Sequence, residues 1–184
     1  MKLALGLFLI FSLSLCGQKF NNLEEALQNP VQVLELDLSK QDLESFPVGI
    51  LQLTNLKVLD LSHNAISSLP TNLGALGKLE ELDLAKNELT QIPSGLTQLP
   101  NLHTLKLSRN PITRLEASIN TYPALAILDL WNCEIDFVSP ALPKNSTLVE
   151  IDLRQNYLGT RELAWLIEAI PTVEIKTTYG CNCN

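Results

Sequence analysis

The chain has 184 residues, of which 46% are apolar and 5% aromatic, and carries a formal net charge of −7 at pH 7. One domain's length with this much apolar surface excludes intrinsic disorder. The excess of acids excludes nucleic-acid backbone and anionic lipid as binding surfaces, since both demand clustered Lys and Arg.

Residues 1–17 read as a signal peptide. Lys2 supplies a minimal positive charge, and Leu3 to Leu15 form an apolar run broken only by Gly6, Ser12 and Ser14. That run is too short to span a bilayer, which needs ~20 residues, and suits the apolar core of an export signal. Cleavage falls after Ser14 or after Cys16. Leu13-Ser14-Leu15-Cys16 also resembles a lipobox, whose Cys becomes lipidated, although Leu15 stands where a small residue is expected. The prediction is a secreted or cell-surface protein. The alternative is an outer-membrane or periplasmic lipoprotein anchored in the membrane through Cys16.

Residues 18–32 are predicted to form an N-terminal capping helix. Asn21-Asn22 places an amide at the N-cap, and Glu24 and Glu25 put acids in the first turn.

From residue 33 the chain repeats at a spacing of 23. Val33, Leu56, Leu79, Leu102, Leu125 and Leu148 share one column. Leu36, Leu59, Leu82, Leu105, Leu128 and Ile151 share the next, followed by Leu38, Leu61, Leu84, Leu107, Leu130 and Leu153. Gln41, Asn64, Asn87, Asn110, Cys133 and Asn156 come three places on, then Leu43, Ile66, Leu89, Ile112, Ile135 and Leu158. The pattern L-x-x-L-x-L-x-x-N-x-L, six times over residues 33–170, resembles the leucine-rich repeat family. The resemblance implies an α/β solenoid: a leucine-rich repeat horseshoe with a parallel concave sheet. The L-x-L alternation is itself a short strand with one buried face. An amide at the Asn position can bridge backbone groups that otherwise cost ~1–3 kcal/mol each when buried. The family motif also allows Cys there, so Cys133 reads as a buried structural thiol.

The second half of each repeat returns the chain. Pro47, Pro70 and Pro93 lack an N–H and suit irregular or short helical turns. The fourth repeat has Glu116 instead, and the fifth displaces its prolines to Pro140 and Pro143. Residues 161–170 read as a true helix with Leu163, Leu166, Ile167 and Ile170 on one face. Residues 171–184 comprise a last capping strand, Val173 to Lys176, and a tail with Cys181 and Cys183. Helix and strand together form the C-terminal cap. The tail is a frayed terminus or a disulfide, within the chain or between chains.

Between the two strand leucines the outward column reads Asp37, Asp60, Asp83, Lys106, Asp129, Asp152. Three places on stand Lys40, His63, Lys86, Arg109, Asn132 and Gln155, whose basic members are expected to offset the acids. The column between reads Ser39, Ser62, Ala85, Ser108, Trp131, Arg154. A Trp that the period turns toward solvent stands out, and Trp, Tyr and Arg dominate interface hot spots. The predicted binding site centres on Trp131 and Arg154, side by side on adjacent strands. Ile127, Lys106, Arg109, Asp129, Glu150 and Tyr157 flank it. The competing reading folds Trp131 over its neighbours.

No nucleophile with a base and no pair of tuned acids emerges; His63 and His103 fall in different columns. The expectation is no enzyme, no cofactor and no metal site. Asn145-Ser146-Thr147 fits a glycosylation sequon, which matters only in a eukaryotic secretory pathway. Two classes remain: a protein-binding module that presents its concave face, and a structural cell-envelope lipoprotein. A homodimer through the same surface stays open. Residues 22–30 leading into Leu36-Asp37-Leu38-Ser39 resemble the exported leucine-rich repeat proteins of pathogenic spirochaetes. That likeness implies a bacterial protein facing a host surface protein.

Overall fold

A computed structural model describes residues 18–142 and 147–178. The expected signal segment with Cys16, the sequon asparagine, and Cys181 and Cys183 lie outside those residues.

Eight short strands form one parallel sheet. They are β1 (Gln18–Phe20), β2 (Val33–Asp37), β3 (Val58–Asp60), β4 (Glu81–Asp83), β5 (Thr104–Lys106), β7 (Ile127–Asp129), β9 (Glu150–Asp152) and β10 (Glu174–Lys176), and they pair in that order. Leu36 lies opposite Leu59, Leu59 opposite Leu82, Leu82 opposite Leu105, Leu105 opposite Leu128 and Leu128 opposite Ile151. Each of these side chains is buried, as are the leucines two places on, so one face of every strand lines a continuous core. The solenoid fold follows because no single repeat can bury its leucines alone; each needs the next turn stacked on it.

The asparagines close the strand ends as their chemistry demands. Asn87 donates from Nδ2 to the carbonyls of Leu61 and Leu84, at 2.9 and 3.0 Å, and accepts at Oδ1 from the Ile66 N–H. Asn110 does the same for Leu84, Leu107 and Leu89. At Cys133 the ladder thins: the thiol donates to the Leu107 carbonyl at 3.4 Å. The Ile112 N–H, which an Asn there would hold, turns back to the Asn110 carbonyl instead. Gln41 leaves the ladder altogether and donates to the Asn21 carbonyl.

The return arms are short 3-10 turns, at Val48–Gln52, Gly74–Leu76, Ser94–Gln98 and Ala117–Thr121. Pro47 and Pro93 stand at the start of two of them. Where the proline is missing, the backbone pairs: β6 (Arg114–Leu115) and β8 (Phe137–Val138) form a second, two-stranded sheet. Ser139, at the proline position of its repeat, donates its N–H to the Leu115 carbonyl, a bond that proline cannot make. Gly95 packs so close to the neighbouring arm that a Cβ would clash with the Pro70 carbonyl oxygen. Tyr122 takes a leucine's place in the arm core and donates its buried hydroxyl to the Pro93 carbonyl at 2.9 Å.

The termini depart from expectation at one end. Only Leu23–Ala26, α1, is helical in the segment predicted as a capping helix. Asn22 does cap it, accepting from the Glu25 N–H. Asn29 and Pro30 then open a 3-10 turn, and residues before Asn21 form β1 instead. One turn is too short to hold itself, and Phe20, Leu23 and Leu27 fix this segment by packing on the core. At the other end α2 (Thr160–Ala169) buries Leu163 and Leu166, and β10 pairs with β9.

Candidate functional site

The open face of the sheet presents the polar columns in register. Its aspartates have a structural task first. Asp37, Asp60, Asp83, Asp129 and Asp152 each accept, at Oδ1, the backbone N–H two residues on, from Ser39, Ser62, Ala85, Trp131 and Arg154. Each thereby closes an Asx turn at its strand end. The chain then passes into the left-handed region at Lys40, His63, Lys86, Arg109, Asn132 and Gln155, with φ between 52° and 60°. That turn redirects the backbone into the Asn position of every repeat.

The basic column is expected to offset the aspartates, but the charges pair otherwise. The aspartate column is bracketed by its own cations. Lys19 of β1 meets Asp37 at 3.4 Å. Lys106 reaches back to Glu81 at 2.5 Å and Asp83 at 3.8 Å. Lys176 of β10, opposite Asp152 in register, meets Glu150 at 2.6 Å. Lys40, His63, Lys86 and Arg109 meet no carboxylate within 4.0 Å among the described residues. The left-handed turn is the reason: it carries this column's backbone off the end of the strand to the rim.

Two aspartates differ in charge environment. The Ser39 hydroxyl, at 2.7 Å, and Lys19 hold the Asp37 carboxyl below its ordinary value. Burial pushes Asp83 up, with Asp60 beside it adding to the rise. The Glu81 carboxylate raises Lys106.

Of the predicted site residues, Trp131 and Arg109 come together. The Arg109 guanidinium lies over the Trp131 ring, 4.6 Å from its centre, and the indole is half-buried. Arg154 stands beside Trp131 on the next repeat, its carbonyl accepting from the Asn132 N–H. Its side chain turns away, however, onto its own Asp152, with Nε 3.0 Å from Oδ1 and Nη2 2.6 Å from Oδ2. Ile127 is 39% exposed on the strand that leads to Trp131. Asp129 holds the Trp131 N–H, Glu150 is tied to Lys176, and Lys106 to Glu81. Tyr157, 72% exposed, lines a separate rim depression of about 360 Å³ with Asn132, Glu134, Gln155 and Thr178. The site is therefore an aromatic platform backed by a cation, next to two internally neutralised ion pairs.

Lys19 and Lys176 escape column arithmetic. The last step, Asp152 to Lys176, is one residue longer than the others, and β1 enters the sheet with a register shift. Among the described residues, no group of three His, Cys, Asp or Glu side chains is placed to hold a metal, and no helix is long and apolar enough to cross a membrane. Cys133, buried, has its thiol pushed up to about 11 by burial, which suits a packing role over a nucleophilic one.

Models of two families match the chain: one described as leucine rich repeat, over residues 31–89, and one as leucine rich repeats in two copies, over residues 77–120. No curated protein shows a comparable match. A solved leucine-rich repeat protein of Leptospira interrogans is similar at 28% identity with a TM-score of 0.58, over 88% of this chain and 54% of that one. The chain thus spans about half the length of that structure.

Proposed function

We propose that this chain, a leucine-rich repeat solenoid in fold, is an exported protein-binding module that takes its partner on the concave sheet, around Trp131. Repeats of this family generally mediate protein–protein contacts and typically carry no catalysis. The single observation that carries the reading is the Trp131–Arg109 platform. A half-buried indole is held in place by a guanidinium on a hydrogen-bonded sheet, next to exposed Ile127. An aromatic held this way loses little freedom on binding, which is how a small contact becomes a hot spot. Arg154–Asp152 and Lys176–Glu150, beside the platform, are already paired, so a partner that covers them leaves neither of those charges without its counter-ion.

Export is supported by Lys2 and the apolar run that follows it. A host-facing role belongs to the same proposal, on the resemblance of residues 22–30 and Leu36-Asp37-Leu38-Ser39 to exported spirochaetal repeats, and extends to no named ligand. The second reading, an envelope lipoprotein, rests on Cys16 after Leu13-Ser14-Leu15. Pull-down of surface proteins on the mature chain, followed by binding to variants, tests the first. Trp131→Ala weakens the captured partner about tenfold or more, and Ser39→Ala at the far end leaves it unchanged. If both variants bind as the wild type does, the concave-face reading fails. Intact mass of the exported form tests the rest: retention of Met1 overturns export, and a lipid-sized excess selects the anchored form.

A further inference from the structure

Charge pairing on this face divides by column. The lysines of the sheet strands, Lys19, Lys106 and Lys176, are each spent on an acid, and Arg154, just past β9, is spent on Asp152. The four basic residues of the left-handed column, Lys40, His63, Lys86 and Arg109, are spent on none among the described residues. Three of them are exposed and Lys86 is half-buried. We infer that this rim is the docking edge for the acidic face of an amphipathic helix of a protein partner. The inference rests on reading the concave face as a protein-binding surface and names the chemistry of what it binds.

The geometry is fixed by the backbone. The N–H groups of the four residues donate to the carbonyls of Ser62, Ala85, Ser108 and Trp131 at 2.8 to 3.1 Å, one bond per repeat. Neighbouring strands lie ~4.8 Å apart, so the row runs ~14 Å from Lys40 to Arg109. A helix that puts an acid on one face at each turn repeats every ~5.4 Å and stays within side-chain reach of all four. An extended strand repeats on one face every ~6.7 Å and falls out of step by the third position.

The shelf beside the row suits the same occupant. Between rim and aspartates stand the small side chains of Ser39, Ser62, Ala85 and Ser108, of which Ser62 and Ser108 are buried, until Trp131 ends the row with Arg109 against it. Beyond the shelf lie Asp37, Asp60 and Asp83. A polyanion charged all round, such as a sulfated polysaccharide, sets anions against those carboxylates. A helix charged on one face only does not. The backbone also spends energy on this row. Non-glycine residues seldom adopt positive φ, and Asn, which tolerates it best, appears at Asn132 but not at the four basic positions.

The probe is a synthetic helix-forming peptide with one Glu per turn on a single face and a terminal Phe, titrated with the full chain and followed by fluorescence anisotropy. The expected result is binding that weakens with salt, and about tenfold weaker binding both by the peptide with Gln for every Glu and by the double variant Lys40→Gln/Lys86→Gln. Lys57→Gln, which removes a lysine already paired with Glu80 at 2.8 Å, leaves binding unchanged. Equal binding by the double variant or by the Gln peptide overturns the inference. So does a sulfated polysaccharide that binds the wild type more tightly than the peptide. With the captured partner, a loss in Trp131→Ala but none in the double variant sinks the rim alone and leaves the concave-face reading standing. No loss in either sinks both.

Discussion

The guanidinium of Arg109 stacks on Trp131 at 4.6 Å while its own N–H donates to the Trp131 carbonyl at 2.9 Å, so one residue braces the indole from both backbone and side chain. The left-handed turn at Arg109, φ 57°, is what points a side chain one repeat away back over the ring. Removing it frees the indole without touching the core. In a Trp165→Phe background, Arg109→Ala raises acrylamide quenching of the remaining Trp fluorescence and costs about 0.5–1 kcal/mol of stability. Unchanged quenching means that the stack does not hold in solution.

Leu105 is fully buried and lies between Leu82 and Leu128 in the ladder. Leu105→Ala therefore removes atoms from two repeat interfaces at once and costs roughly 2–5 kcal/mol. Because each turn of a solenoid touches only its neighbours, hydrogen exchange accelerates first in the turns on either side. A denaturation midpoint equal to that of the wild type contradicts the register.

The spine was readable because burial is what spaces it: a Leu that must enter the same core at each turn recurs at the same interval, from Leu36 to Ile151. What stayed hidden depends on long side chains or on breaks in the period. Lys106 and Lys176 choose among several carboxylates in reach, and no column says which. Arg154 sits beside Trp131 in register, yet a bidentate bond to Asp152 two residues away wins over the ring. The rim conformation at Lys40 and Lys86 has no Gly to announce it; Asn132 in the same column was the available signal. The strand β1 enters out of register, and only Phe20, apolar before a polar pair, hints that it joins the core.

Cys133 leaves the Ile112 N–H without its ladder acceptor. An Asn of similar size supplies Oδ1 for that N–H and two donors for the carbonyls that its neighbours serve. Cys133→Asn should raise stability by about 1 kcal/mol in urea denaturation. In the native wild type, the buried thiol stays inert to a thiol reagent at neutral pH and reacts on unfolding. Rapid native labelling contradicts the structural role.

Asp37 and Asp83 make opposite demands on pH. Asp37 titrates below its ordinary 3.8 when folded, so the charged form favours the fold; its contribution is present above that value and is lost as pH falls through the depressed one. Asp83 titrates above 3.8, so protonation favours the fold; its contribution is present below 3.8 and is lost as pH rises through the raised value. At neutral pH Asp37→Asn lowers stability. Asp83→Asn raises it, since Asn keeps the acceptor for the Ala85 N–H and drops the desolvated charge. Below the carboxylate range both differences shrink. Thermal midpoints of the two variants that move in the same direction at pH 7 refute the assignment.

The left-handed column offers a way to separate stability from binding. Lys86 holds φ 54°, which an L-residue with a long side chain adopts at a cost, while Asn132 holds φ 52° in the same turn of a later repeat. Asn tolerates this region because its short polar side chain bonds locally. Lys86→Asn therefore leaves the hydrogen bond from this residue's N–H to the Ser108 carbonyl intact and raises stability by a few tenths to about 1 kcal/mol. A β-branched residue is a true outlier at positive φ, so Lys86→Val lowers stability by about 1–2 kcal/mol. Both variants remove the same charge. Binding of the acidic peptide falls equally in the two, while their denaturation midpoints move apart. Equal midpoints show that the turn does not impose positive φ in solution. Binding that follows stability shows that the rim acts through the fold and not through its charge.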